Sequence, residues 1–501
     1  MDNFDLNALV SVLKKTGKQT VEAFRELIAD VKGDAPSAEG KLSARERIVS
    51  LFDRGTFSET GAFVRRRMSE FDPGKPDELE GVITGWGSVG GRLVYAFSQD
   101  LSRTGGAVSE AHAAKICELY RLAVENGAPV VGFFDSNGAF VPEGVRALSG
   151  YGKIMRAVSR SSGIVPQIAV VSGYCSGASA VIASMFDVSV IVDDGGVISV
   201  TPPFLAEGAG GAEFAADKGT VALRAEDDGK SLLAVRSLLR FIPDNNEAGG
   251  AILDSRDDVN RQMDISEYES SGDPRTLIRA AADDGEFLEL YSPMGTGIVT
   301  GLCSFGGIPV GVVASDSSVA DGALSPAAAR KAARMISFFD AFNIPVLTVV
   351  DSCGLERSTE AEGAPYAAEL AKLASAYASA GAPLVTLIVG EAYGTAFTVL
   401  GSKAIGADYV MALDTAKIAA MKADAAVAFL YNGDITKDVG REDLEKMWNE
   451  TTANPVEAAS SGDIDCVIAK DEIRQRICSA VFMTSRKSDA WASRRHSTPA
   501  L

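Results

Sequence analysis

Gly81-Val-Ile-Thr-Gly85 recurs as Gly297-Ile-Val-Thr-Gly301, and the separation, 297 minus 81, is 216 residues. The same offset, without a gap, lays Gly91 on Gly307, Asp100 on Asp316, Gly106 on Gly322, Lys115 on Lys331, Pro129 on Pro345, Asp135 on Asp351 and Gly138 on Gly354. A register held over that span is an internal duplication, and a unit this long is a whole domain rather than a stacking module of a solenoid. At 501 residues and 46% hydrophobic, the chain has material for two such cores.

Working outward, both copies read alike. In the first, residues 92–97 alternate as a strand, Ser109 caps a helix over 110–126, and the apolar run 129–134 is a buried strand that stops at Asp135-Ser-Asn-Gly138. In the second, Ser325 starts a helix, 345–350 is the strand and Asp351-Ser-Cys-Gly354 the turn. Short strands over 167–172 and 384–389 then lead into Gly173-Tyr-Cys-Ser-Gly-Ala-Ser179 and Gly390-Glu-Ala-Tyr-Gly-Thr-Ala396. Strands alternating with helices at this spacing predict an α/β fold. Pro243-Asp-Asn-Asn-Glu-Ala-Gly-Gly250 and the acidic stretch after it, to about Pro274, have linker composition. The expected organisation is an N-terminal helical arm (1–75), a first domain (76–250), a linker (251–275) and a second domain (276–501).

A net charge of -19 argues against a nucleic-acid partner, since a polyanion would be repelled over most of the surface. Arg65, Arg66 and Arg67 form the one compact basic cluster before the C-terminal tail, suited to a substrate phosphate or equally to a solvated charged face. Six cysteines without a CxxC pair predict a reducing, cytoplasmic compartment. Residues 1–30 mix apolar and charged side chains, as an amphipathic helix rather than a signal peptide does, and no run is long enough to cross a bilayer.

In α/β layouts ligands meet the carboxyl ends of strands, where the glycine-rich turns of each copy fall. Glycine allows close backbone approach, and helix-start N–H groups without intrahelical partners can point at developing negative charge. Two of them on one oxygen make an oxyanion hole; taken singly, such a turn is more often tight packing, but two copies in equivalent positions favour function. With only His112 and His496, a histidine triad, a multi-histidine metal site or a histidine base is hard to assemble, and no metal is predicted. His112, on its helix, reads as a surface or packing residue, and Cys175 as a packing thiol rather than a nucleophile. A GxxxxGK[ST] phosphate loop is missing, so ATP hydrolysis is not expected.

Several stretches carry a resemblance: Gly40-Lys-Leu-Ser-Ala-Arg-Glu-Arg-Ile48, Gly105-Gly-Ala-Val-Ser-Glu-Ala-His-Ala-Ala-Lys115, Leu239-Arg-Phe-Ile-Pro-Asp-Asn-Asn246, Asp284-Gly-Glu-Phe-Leu-Glu289, Asp340-Ala-Phe-Asn-Ile-Pro345 and Arg495-His-Ser-Thr-Pro-Ala-Leu501. Over nearly its whole length the chain resembles the carboxyltransferase (β) subunits of propionyl-CoA and related acyl-CoA carboxylases, and the similar α subunits of methylmalonyl-CoA and glutaconyl-CoA decarboxylases. The resemblance implies duplicated crotonase-like (ClpP/crotonase) ββα spiral domains. One half would bind acyl-CoA and the other would receive carboxybiotin from a carrier protein, at interfaces between subunits of a hexamer. It implies a mechanism in which carboxybiotin releases CO2, the biotin enolate takes the α-proton of the thioester, and the thioester enolate attacks CO2, so that no side-chain base is needed. It also implies partners: a biotin carboxyl carrier protein and a biotin carboxylase subunit, or a membrane decarboxylase subunit, with self-assembly or pairing with a paralogue.

Carried over residue by residue, the resemblance places one oxyanion hole at the N–H groups of Gly177 and Ala178 and the other at Thr395 and Ala396. Gly105, Gly106, Asn137 and Gly138 line the first site; Cys353, Gly354, Gly394 and Thr398 the second, Thr398 standing where the family varies acyl-chain choice. Arg65 and Arg66 are the candidates for the CoA phosphates. The chain departs from the family's usual glycines at 137, 178 and 395 and its arginine at 140, with Asn137, Ala178, Thr395 and Phe140. It also has Glu213-Phe-Ala-Ala-Asp217 where the family has a histidine-containing stretch, and Val350-Asp-Ser-Cys-Gly-Leu-Glu-Arg357 where proline and phenylalanine flank the glycine. These changes point to an unusual substrate or to reduced activity. A catalytic carboxyltransferase is the leading expectation, ahead of a sodium-pumping decarboxylase α subunit, a non-catalytic partner subunit and a crotonase-type hydratase.

Overall fold

The computed structural model describes residues 41–67, 78–202, 205–206, 208–250, 252–435 and 438–487. The amphipathic helix expected over 1–30, and His496, lie outside the described residues.

The first half contains β1 (Ser58–Thr60), β2 (Val82–Val89), β3 (Arg92–Gln99), β4 (Val130–Ser136), β5 (Gln167–Ser176), β6 (Val188–Val192), β7 (Val197–Ser199) and β8 (Leu223–Ala225). They form one sheet in the order β1-β2-β3-β4-β5-β6-β8, with β7 pairing β5. The second half repeats this with β9 (Leu288–Leu290), β10 (Ile298–Phe305), β11 (Ile308–Ser315), β12 (Val346–Ser352), β13 (Leu384–Tyr393), β14 (Tyr409–Leu413), β15 (Lys417–Ala419) and β16 (Cys466–Ile468). Its order is β16-β14-β13-β12-β11-β10-β9, with β15 on β13. In each sheet a hairpin is antiparallel and the strands after it are parallel.

Local chemistry sets these elements. The β2–β3 and β10–β11 hairpins turn on Gly90-Gly91 (φ 58 and 80) and Gly306-Gly307 (φ 59 and 80), the paired positive φ of a type I′ turn that matches strand twist. Helix Glu110–Asn126 starts at Ser109, whose hydroxyl accepts the His112 N–H, and ends at Gly127 in the left-handed region. Ser325 caps helix Pro326–Ala341 in the same way. The offset of 216 holds for β2 with β10, β3 with β11 and β4 with β12, and becomes 217 at β13, where 384 minus 167 is the separation from β5.

Three expectations are revised. β5 and β13 do not stop at 172 and 389 but run on through Gly173 and Gly390 to Ser176 and Tyr393, first beside β6 or β14 and then beside β7 or β15. The reason is steric: a Cβ on Gly173 would stand 2.0 Å from Asp135 Oδ1, and one on Gly390 2.1 Å from Asp351 Oδ1. These glycines serve close approach inside a strand rather than a turn. The part of the N-terminal arm that is described is not purely helical: after helix Ala44–Leu51 it adds β1 to the edge of the first sheet. The stretch expected as a linker packs on the second half, with Leu253 N–H donating to Gly307 O and a helix, Ser266–Ser271, that buries Tyr268.

The halves share a core. Ile83 and Val131 of the first belong to the same buried cluster as Ile298 and Val313 of the second, with the alanine-rich helix Pro326–Ala341 among them. Arg334 on that helix donates to the carbonyls of Phe186 and Asp187 across the junction. Burial of apolar surface on this scale favours one continuous body over two tethered ones.

Candidate active site

In both halves the turn after β4 or β12 rests on a three-residue turn upstream. Asn137 N–H donates to Gly105 O at 2.9 Å, and Cys353 N–H to Asp321 O at 3.1 Å. A Cβ on Gly105 (φ 64) would meet the Asn137 amide nitrogen at 2.3 Å, so a side chain there requires the Asn137 amide to move. Its counterpart Asp321 keeps a side chain at φ 52 opposite the shorter Cys353. Gly106 is likewise pressed against Asp135 O, at 2.5 Å from an added Cβ. Gly105 and Gly106 therefore shape the first turn from beneath. Gly138 (φ 104) and Gly354 (φ 128) face open space, and Ser136 and Ser352 hydroxyls accept their N–H groups at 3.1 and 3.3 Å.

The second turn of each half opens a short helix. Gly177 (φ 61, ψ -125) precedes helix Ala178–Ser184, and Gly394 (φ 58) starts helix Gly394–Val399. By the offset of 217, Gly177 matches Gly394, Ala178 matches Thr395 and Ser179 matches Ala396. One of the expected donors is already engaged within the fold. Gly177 N–H already donates to Ser199 O at 2.9 Å, in continuation of the β5–β7 ladder. Ala396 is fully buried, as is Ser179 at 1% exposure. The residues that reach the surface at a helix start are Ala178, which is half-buried, and Thr395, which is exposed. A first-turn N–H has no intrahelical acceptor. Thr398 is exposed on the outer side of its helix, with its hydroxyl 3.4 Å from Gly394 O.

Each half has a cavity that starts next to one of these turns. One of about 630 Å³ runs along helix Ala178–Ser184 and is lined by Val181, Met185, Ile198, Val200 and Phe214. Another of about 700 Å³ follows the Gly354 turn and is lined by Leu355, Arg357, Thr359, Tyr366 and Leu370.

Two arginines of the basic cluster are ion-paired. Arg66, almost buried, pairs with Glu78 at 3.2 Å and stacks 4.9 Å from the Phe140 ring centroid, while Arg67 pairs with Glu110 at 2.6 Å. Arg65 sits in a short bridge with Leu79. The Arg66 guanidinium is thus engaged by a carboxylate and a ring.

His112 and Cys175 are packing residues. His112 is fully buried, 3.4 Å from the Gln99 amide nitrogen, and burial, with Lys115 nearby, pushes it down to about 3. Cys175 is buried in β5 and burial raises its thiol far above the usual range, so a thiolate is disfavoured. Among the described residues no cluster of His, Cys, Asp or Glu has the grouping of a metal site, and no helix is long and apolar enough to cross a membrane.

Two side chains that hold the site were not singled out from the sequence. Arg47 joins Asp135 (2.9 Å) and Asp228 (3.2 Å), all three buried. Tyr268 hydroxyl donates to Asp351 at 2.8 Å. A signal for Arg47 exists: it lies on the buried face of its helix with Ala44, Ile48 and Leu51, an arginine where periodicity calls for an apolar residue. Tyr268 has none, standing alone in a polar stretch.

Two sheets of like order, each with an interior strand that runs into a glycine-started helix, define a duplicated crotonase-type α/β protein. Transcarboxylase 12S, solved as a hexamer with methylmalonyl-coenzyme A and methylmalonic acid bound, matches with a TM-score of 0.90 at 30% identity over 97% of this chain and 99% of that one. The carboxyl transferase domain model matches residues 36–498, and the chain belongs to that family of carboxyltransferases. The propionyl-CoA carboxylase beta chain of Roseobacter denitrificans is 37% identical over 481 residues, covering 92% of this chain and 94% of that protein. The methylmalonyl-CoA decarboxylase subunit alpha of Veillonella parvula is 34% identical over 506 residues, covering 96% and 99%.

Proposed function

We propose that this carboxyltransferase moves a carboxylate between carboxybiotin on a partner carrier protein and the α-carbon of a short-chain acyl-CoA. The observation that carries the reading is the pair of equivalent helix starts, Ala178 and Thr395, one in each half. The first half takes the acyl-CoA thioester and the second the biotin ureido group. Carboxybiotin, when bound, supplies both the carboxylate and, once CO2 has left, the base for the α-proton. The chain's own part is to bring two reactants together, exclude water and offer N–H donors to two oxygens that gain negative charge. That division of labour suits a site with no free histidine among the described residues. Neutral N–H donors at the Thr395 helix start suit a ureido oxygen. Gly177 and Gly394 supply the backbone bends, Asn137, Gly138, Cys353 and Gly354 border the two sites, and Thr398, reaching across from the second half of a neighbouring subunit, stands near the acyl group. The working assembly is a hexamer, alone or with a paralogue, served by a biotin carrier and a biotin carboxylase subunit. The Veillonella relative favours a second reading, the same chemistry run as decarboxylation beside a membrane subunit.

The test is transfer between free biotin and a panel of acetyl-, propionyl-, methylmalonyl-, butyryl- and glutaconyl-CoA by the purified protein and Ala178→Pro. Proline fits the first helical position without loss of an intrahelical bond, so the variant deletes one donor. The expected loss in kcat is about 100- to 1000-fold. Full activity in Ala178→Pro would exclude this donor; inactivity of the parent protein toward the whole panel, as a folded hexamer, would exclude catalysis by this chain alone.

A further inference from the structure

Each half carries an aspartate that the reaction does not use. Asp135 and Asp351, 216 residues apart by 351 minus 135, end equivalent strands. Each begins the first turn of its half and presses its carboxylate against the glycine, 173 or 390, of the strand that leads to the second turn. The carboxylate therefore touches both backbone segments that form one site.

What holds the carboxylate differs between the halves. Asp135 Oδ2 accepts from Arg47 Nη1 at 2.9 Å, and Arg47 Nε also donates to Asp228 Oδ1 at 3.2 Å. Asp228 Oδ2 in turn accepts the Leu42 N–H at 3.0 Å. Asp351 Oδ2 accepts the Tyr268 hydroxyl, and its Oδ1 the Glu391 N–H, both at 2.8 Å. Asp135 Oδ1 has no such partner among the described residues, although it is buried. Arg47 enters from helix Ala44–Leu51 and Tyr268 from helix Ser266–Ser271, and both helices lie outside the strands that the duplication relates. The duplicated halves thus have the same clamp with different counter-groups.

We propose that Arg47 and Tyr268 are positioning residues, each fixing through a shared aspartate the two turns of one half and leaving the other half untouched. Which substrate each pair of turns serves rests on the proposed function; the clamp itself does not. A buried carboxylate that loses its counter-group is driven to move toward water or to recruit another donor, and either shift displaces the strand glycine packed on it. Arginine reaches two carboxylates with a rigid fork, which the flexible, single-headed lysine cannot reproduce. The first half, with one carboxylate oxygen already unpartnered, is the more sensitive.

Amide hydrogen exchange on the full-length protein tests this with Arg47→Lys and Tyr268→Phe, alongside KM and kcat for acyl-CoA and for free biotin. Arg47→Lys is expected to speed exchange about three- to tenfold in peptides covering 135–144 and 173–185, and Tyr268→Phe in those covering 351–358 and 390–400, the scale of one lost hydrogen bond. The KM for acyl-CoA rises in the first variant and that for biotin in the second, with the other KM unchanged. If Arg47→Lys does not fold, Asp228→Asn, which loosens the second anchor of Arg47, reads the same peptides. Unchanged exchange in both pairs of turns, or equal loosening of both halves by either variant, overturns the proposal. Exchange that separates by half with the two KM effects exchanged supports the clamp and overturns the assignment of substrates to halves.

Discussion

Gly173→Ala is the sharpest probe of how the site is held. The added Cβ would lie 2.0 Å from Asp135 Oδ1, 2.4 Å from its carboxyl carbon and 2.8 Å from Oδ2, whereas ordinary contact begins at 3.4 Å. The gap must open by about 1.4 Å, and the carboxylate cannot swing that far while bonded to Arg47 at 2.9 Å. Overpacking alone costs about 1–3 kcal/mol, and uncoupling a buried ion pair costs about 3–5 kcal/mol. A displaced but surviving pair falls between, at about 2–4 kcal/mol. Gly152→Ala is the control, because that glycine lies inside helix Val145–Ser161 with nothing within 4 Å of an added Cβ, and the change should stabilise by about 0.5–1 kcal/mol. Urea unfolding of both variants, with carboxyl transfer measured on each, gives the answer. Stability of Gly173→Ala within about 0.5 kcal/mol of the parent, with transfer intact, would refute the idea that Asp135 is held fast against β5.

Two further predictions concern buried titratable groups. Lys115 and Lys331, repeat-equivalent, donate to the carbonyls of Val82 and Tyr291, and burial pushes both down to about 8. Their folded-state values lie below the unfolded ones, so the unfolded chain binds more protons above pH 8 and stability should rise between pH 8 and 10.5; in Lys115→Met that rise should shrink by about 3 kcal/mol, read as the difference in urea unfolding between parent and variant. His112, pushed down to about 3, stays neutral in the fold while the unfolded chain protonates below pH 6.5. Stability should therefore fall by about 3 kcal/mol between pH 6.5 and 4 from this residue alone, and His112→Gln should flatten the acid limb of the stability curve; an unchanged limb would place the acid sensitivity elsewhere.

The sequence by itself determined the features whose physics is local or periodic. The 216-residue offset is a count of identities, and it predicts the two sheets because like sequences bury like faces. Ser109, Ser325, Gly127 and the Gly-Gly hairpins mark element ends because capping and positive φ are decided within a few residues. The glycine-rich stretches mark the candidate site for the same reason. Tertiary structure alone decided what each group is free to do. Gly177 N–H is taken by Ser199 O, more than twenty residues on; Ala396 is enclosed by a core assembled from distant strands; Arg66 turns onto Phe140 and Glu78. Gly173 looks like a turn glycine and is a strand glycine, because the carboxylate it must admit belongs to residue 135. Arg47 and Tyr268 meet their aspartates across 88 and 83 residues of chain. Such contacts carry no period and no local motif, so only the packing of one segment on another could decide them.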